Sequence, residues 1–300
     1  MRARVRDTEI YFDVEGMGLV PAGERMLERK VAFVIHGGPG SDHTGFKPGY
    51  TPLAQKMQLV YFDHRGQGRS ARGDVARYTL DENVEDMEAL RVHLGLGPIV
   101  SIGTSYGGMV ALAHAARYPK SVSHLVLVVT AAHNGFMARS REIVAERGTA
   151  AQKQACADLY AGRLTTVEKV RAYYDTMASL YAHHPHPEAA RAARARGISS
   201  PEALNRAFAP GGWLEHYDLR PELKNITAPT LIIAGRHDWI CAPEFSEEMH
   251  RLIPGSDLRI FEDSAHSVRS DEPEALMDAI GGFVVYQPPR TAPAGGMGAA

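Results

Sequence analysis

A serine, an aspartate and a histidine follow one another along this chain, each closing a short apolar run. Pro98-Ile99-Val100-Ser101-Ile102 leads into Gly103-Thr104-Ser105-Tyr106-Gly107. Thr230-Leu231-Ile232-Ile233-Ala234 leads into Gly235-Arg236-His237-Asp238, and Leu258-Arg259-Ile260-Phe261 leads into a segment ending at His266. The three residue types make one nucleophilic system. A serine hydroxyl attacks poorly until a base takes its proton. His266 would be that base and would later protonate the leaving group. Asp238 would fix the imidazole tautomer and stabilise the imidazolium.

The elements around these residues must hold them in register. Gly-x-Ser-x-Gly between a strand and a helix is a sharp turn that presents Ser105 at the top of a sheet. Met109, Leu112, Ala113 and Ala116 give the following run helical spacing, and Tyr118-Pro119 stops it. A further strand, Val31-Ala32-Phe33-Val34-Ile35, ends in His36-Gly37-Gly38-Pro39-Gly40. Acyl transfer needs backbone N–H donors aimed at the developing oxyanion, and one such donor is worth about 10²–10³ in rate. Gly38 and Tyr106, the residue after the nucleophile, are the expected donors.

The order Ser, Asp, His belongs to the α/β-hydrolase arrangement. His-Gly-Gly-Pro-Gly at 36–40, Asp63-His64-Arg65-Gly66-Gln67-Gly68-Arg69-Ser70, and Gly-Thr-Ser-Tyr-Gly-Gly at 103–108 together resemble the proline iminopeptidase branch of that superfamily. The resemblance covers roughly residues 5–285 and is weakest over 134–225, where the family carries its cap. It implies a serine hydrolase that releases N-terminal residues. Such members grip the free ammonium with acids, some directly after the aspartate of the triad, where this chain has Trp239. Glu215, beside Trp213, is the acid expected to serve instead, and Trp213, Glu215 and Trp239 are the candidate substrate-binding residues. His64 stands where the family usually has glutamine.

Strands alternating with helices along the chain imply an α/β fold, a mostly parallel sheet covered on both faces. Residues 3–14 alternate as an edge hairpin, Gly16–Lys30 reads as a loop with some helical tendency, and Gln58–Asp63 and Ser123–Thr130 read as strands. Asp81 is the expected cap of a helix that turns Val84, Met87, Leu90 and Leu94 inward. Pro243 and Pro273 open two late helices, with Phe245, Met249 and Leu252, then Leu276, Ala279, Ile280 and Phe283, toward the core. The expected organisation is a hydrolase core of residues 1–133 and 226–286, a helical cap of residues 134–225, and a disordered tail at 287–300 rich in Pro, Gly and Ala.

Composition bounds the partners. A hydrophobic share of 44% against 23% charged residues is that of an ordinary globular chain. A net charge of −2 leaves no nucleic-acid footprint, and no apolar run is long enough for a membrane span. The charged N-terminus lacks the apolar stretch of a signal peptide, and Cys156 and Cys241 have no metal or redox spacing, so a cytoplasmic protein with free thiols is expected. No cofactor and no metal is expected, and His183-His184-Pro185-His186 reads as a solvated loop. Arg191, Arg194 and Arg196 read as a solvated helix face, with guidance of an anionic substrate as the alternative. Asp63 and Arg65 are expected to brace the loop that carries Gly38.

The chemistry leaves alternatives open. A small ester or lactone and a short peptide or amide both suit the constellation, and a non-catalytic ligand-binding protein of the same fold is the reading from another class. Dehalogenase or epoxide hydrolase chemistry is excluded, because it needs a carboxylate at position 105. Oligomeric state is not legible.

Overall fold

The computed structural model describes residues 1–285; the tail from Gln287 to Ala300 lies outside the described residues. Ten strands are β1 Arg2–Val5, β2 Thr8–Glu15, β3 Leu19–Ala22, β4 Arg25–Glu28, β5 Val31–Ile35, β6 Gln58–Phe62, β7 Ile99–Thr104, β8 Val122–Val128, β9 Thr230–Gly235 and β10 Asp257–Phe261 among the described residues. The α-helices are α1 Leu80–His93, α2 Tyr106–Arg117, α3 Gly135–Arg147, α4 Ala150–Tyr160, α5 Val167–Tyr181, α6 Pro187–Arg196, α7 Pro201–Phe208, α8 Pro243–Leu252, α9 Val268–Asp271 and α10 Pro273–Val285.

Eight strands form one sheet in the order β1-β2-β6-β5-β7-β8-β9-β10. β1 and β2 pair antiparallel, as do β2 and β6; every pairing from β6 to β10 is parallel. Parallel strands need crossovers that cover both faces, so the central strands are apolar throughout. Alternate side chains go to opposite sides. Phe33, Ile35, Leu125, Leu127 and Ile232 belong to the core shared with α1, α2 and α8. Ala32, Val34, Val126, Val128 and Ile233 belong to the core shared with α10.

From β5 the chain turns to β6 on one side, then returns to β7 on the other. The crevice at such a reversal, outside the carboxyl ends of the strands, is where this class of sheet binds ligands. His36–Gly40 and Ser105 emerge at that point. Asp238 follows β9 and His266 follows β10, at the same edge.

Residues 134–225 carry α3 to α7 and no named strand. These helices have clear local causes: a capping box of Thr149 and Gln152 opens α4, and Pro187 and Pro201 open α6 and α7. Their buried residues, among them Phe136, Leu159, Tyr173 and Leu204, join the same cluster as Tyr106 and Met109 of α2.

Three local expectations are corrected. Residues 19–28 form a small antiparallel hairpin, β3 with β4, turning at Gly23 with φ +62°. Its side chains are nearly all exposed, so no hydrophobic alternation marks it. Thr79, not Asp81, caps α1, accepting from the Glu82 N–H, and Asp81 lies in the first turn. Leu252 is exposed, whereas Phe245 and Met249 are buried.

Candidate active site

Ser105 adopts φ 55°, ψ −122°, a conformation that a residue with a Cβ rarely takes. The strain persists because the surroundings fix it. The Ser105 N–H donates to the Val128 carbonyl at 2.9 Å, and Thr130 Oγ1 donates to the Ser105 carbonyl at 2.8 Å. The flanking glycines are required by space. A Cβ at Gly103 would overlap the Gly107 backbone, and one at Gly107 would overlap the Ile35 carbonyl. The turn therefore packs directly onto the end of β5, beside the glycine loop.

His266 Nε2 lies 3.0 Å from Ser105 Oγ, and His266 Nδ1 lies 2.8 Å from Asp238 Oδ2. The other Asp238 oxygen, Oδ1, accepts from the N–H groups of Ile240 and Cys241 at 2.8 and 3.1 Å. Asp238 is 2% exposed, so these bonds replace the water that a buried carboxylate loses. The His266 ring meets the Tyr181 ring edge to face, and the Ser267 N–H donates to the Tyr181 carbonyl at 2.8 Å. Asp263, the other aspartate near His266 in the sequence, is exposed.

Tyr106 is the first residue of α2, where a backbone N–H has no intrahelical acceptor and the helix dipole favours negative charge. Neither the Tyr106 nor the Gly38 N–H has a hydrogen-bond partner among the described residues. Both residues line the same cavity as Ser105 and His266. Gly38 has φ +123°, which a side chain would oppose. The Gly40 N–H is tied at 2.7 Å to the Gln67 side chain.

The brace beneath this loop differs in part from the expectation. Asp63 Oδ1 accepts from the His43 N–H at 2.9 Å and meets His43 Nδ1 at 2.7 Å, and Oδ2 accepts from the Arg69 N–H. Burial raises the Asp63 pKa, but the His43 hydrogen bond and these neighbours outweigh it and hold the carboxyl down at about 2. Arg65 does not touch the loop. It clamps Asp86 of α1 at 2.7–2.8 Å and reaches Asp7 in the first hairpin. Gln67 makes the contact assigned to Arg65.

The cavity over Ser105 has a volume of about 780 Å³. Trp239 lines it, 1% exposed, with its indole N–H unpartnered among the described residues. Tyr173, Tyr174 and Tyr181 of α5 line it as well. Trp213 and Glu215 do not. Trp213 packs against the Tyr106 ring at 5.7 Å, and Glu215 is exposed, accepting the Gly211 N–H at 3.0 Å. Among the lining residues without a mark in the sequence are Tyr50, whose hydroxyl meets Thr104 Oγ1 at 2.9 Å, and Arg269, three residues after His266. His183, His184 and His186 are exposed, with the His183 ring stacked on His237 at 4.1 Å. No group of three or more His, Cys, Asp or Glu side chains among the described residues could hold a metal ion. No described helix is long and apolar enough to cross a membrane.

Comparison with known proteins agrees with this architecture. The family model described as the alpha/beta hydrolase fold matches residues 33–273, and the chain belongs to that family. It is 29% identical over 268 residues to a proline iminopeptidase of Clostridium botulinum, covering 86% of this chain and 90% of that one. It is 27% identical over 257 residues to the proline iminopeptidase PfmaB of Pestalotiopsis fici, covering 83% and 90%. An esterase from Exiguobacterium antarcticum has the same fold, with a TM-score of 0.73 at 24% identity over 95% of this chain and 99% of that one.

Proposed function

We propose that this protein is a cofactor-free serine hydrolase acting through an acyl-enzyme on Ser105. The observation that carries the reading is the unbroken hydrogen-bonded line from Asp238 through His266 to Ser105. Ser105 Oγ attacks the substrate carbonyl as its proton passes to His266 Nε2. The carbonyl oxygen becomes an oxyanion facing the Gly38 and Tyr106 N–H groups. As the intermediate collapses, His266 returns the proton to the departing oxygen or nitrogen. Water, deprotonated by His266, then attacks the acyl carbon and frees Ser105. Asp238 keeps Nδ1 protonated so that Nε2 faces the serine as an acceptor.

For the substrate, the cavity favours a carboxylic ester. Release of an N-terminal residue requires an acid for the ammonium group. Asp42 is the one carboxylate among the described lining residues, and it is already held by Arg69 at 2.7 Å and by the Ile198 N–H at 2.9 Å. N-terminal residue release is the second reading, supported by sequence similarity to the two proline iminopeptidases. The helices of residues 134–225 would act as the cap that selects the substrate.

The test is a fluorophosphonate probe followed by peptide mass spectrometry, run beside assays on p-nitrophenyl butyrate and proline p-nitroanilide. The reading expects the adduct on Ser105 and turnover of the ester. Turnover of the anilide would establish the aminopeptidase. An unlabelled Ser105 with no turnover of either compound would leave a ligand-binding protein.

A further inference from the structure

The charges facing the cavity are unbalanced. Its described lining holds Lys47, Arg171, Arg194, Arg196 and Arg269 against Asp42 alone. Most of these are accounted for. Lys47 is paired with Asp13 and Glu15, and Arg194 with Asp175. Arg196 donates to the Lys47 carbonyl at 2.9 Å, and Arg171 is exposed at the rim. Asp42 is spent on Arg69.

Arg269 differs. Among the described residues its guanidinium has no carboxylate within 4.0 Å and no hydrogen-bond acceptor. It is half-buried and lies over the Phe46 ring, 5.0 Å from the centroid. Burial pulls its pKa down, with the Tyr50 hydroxyl as the one opposing group. Arginine stays protonated under such conditions, so a partly desolvated cation stands in the cavity without an anionic partner among the described residues. The fold makes room for it: a Cβ at Gly49 would sit 2.9 Å from Arg269 Cδ. It lines the same cavity as Ser105, His266 and Tyr50. The Arg269 charge acts on the Tyr50 hydroxyl, and that hydroxyl bonds Thr104, the neighbour of the nucleophile.

We propose that Arg269 is a specificity-determining residue, and that the substrate is a carboxylic ester carrying a free carboxylate which the Arg269 guanidinium receives. The inference rests on Ser105 being the nucleophile. A planar guanidinium offers five donors and grips a carboxylate through two of them. The Phe46 ring behind it and its half-burial reduce solvent screening, which strengthens the pair.

The test compares esters that differ only in the carboxylate. Mono-p-nitrophenyl glutarate against p-nitrophenyl butyrate places the charge on the acyl side. The butyrate ester of 4-hydroxybutanoate against butyl butyrate places it on the alcohol side. In one of these pairs the wild type is expected to favour the charged ester at least tenfold in kcat/KM. Arg269→Met is expected to lower that ratio by about 10–100-fold, the worth of one charge-assisted hydrogen bond, and Arg269→Lys to restore part of it. Wild-type preference for the neutral ester in both pairs overturns the proposal, a result that needs no variant. So does a ratio unchanged within twofold in Arg269→Met. Failure of the hydrolase reading looks different: no ester of either kind is turned over, and Ser105 takes no fluorophosphonate.

Discussion

The Oγ of Ser105 lies 3.0 Å from Nε2 of His266, although 161 residues separate them in the chain. The contact is made by topology. β7 ends at Thr104, directly before Ser105, and β10 precedes His266, and parallel strands deliver both carboxyl ends to one edge of the sheet. If the pair is the nucleophile and its base, Ser105→Ala should lower kcat by about 10⁶-fold on any substrate the protein turns over. Steady-state assays with active-site titration of the wild type would measure this. Residual activity above a tenth of wild type would remove Ser105 from the mechanism.

If Asp238 fixes the His266 tautomer across their 2.8 Å contact, Asp263 is the control. Asp238→Asn keeps the shape but presents a donor or a neutral acceptor to Nδ1, and kcat should fall about 10⁴-fold. Asp263 is exposed, so Asp263→Asn should stay within about twofold of wild type. A loss of that size in Asp263→Asn instead of in Asp238→Asn would mean that the wrong acid has been assigned.

Gly107 is set by packing. A methyl group there would overlap the Ile35 carbonyl and crowd that of His36, and neither can retreat without breaking the end of β5. Gly107→Ala should therefore cost about 1–3 kcal/mol in urea denaturation. It should also impair turnover, because the Gly38 loop continues directly from that strand end. Gly97→Ala meets nothing within 4 Å and should change stability by less than about 0.5 kcal/mol. A Gly107→Ala protein as stable as Gly97→Ala would show that the turn relaxes freely.

The juxtaposition of Ser105, Asp238 and His266 was legible in the sequence for a physical reason. Buried parallel strands are continuous apolar runs, and Ser105, Asp238 and His266 stand shortly after three of them, so the three could be read from run and spacing. The β3–β4 hairpin could not, because exposed strands bury nothing and leave no alternation. Glu215 has the right chemical type beside Trp213, yet the segment after α7 turns it outward to the Gly211 N–H. Arg269 looks in sequence like any surface arginine. Its isolation depends on Phe46, Gly49 and Tyr50, which lie more than two hundred residues earlier.

Acid should loosen the fold through buried histidines. His64 is fully buried between the rings of His36, Phe62 and Tyr106, and neither of its ring nitrogens has a partner among the described residues. Burial, and then His36, hold its pKa well below the ordinary value of 6.5. His36 is lowered chiefly by burial, and His124 is pulled to about 4 by burial and Lys30. In the unfolded chain each ring titrates near 6.5. Between that pH and the lower folded value, the unfolded chain binds a proton that the fold refuses. Stability is thus complete above about pH 6.5 and falls as the pH drops, by up to ~1.4 kcal/mol per pH unit for each such histidine. His64→Gln removes one of these protons. It keeps the backbone N–H that donates to His36 Nε2 at 3.2 Å, so the neighbouring ring stays anchored. Urea midpoints of both proteins from pH 7.5 to 5.0 would measure the slopes. The variant should lose stability more gently on acidification, by about one proton's worth. Identical slopes would mean that His64 is protonated in the folded protein at those pH values, and that its ring has found an acceptor.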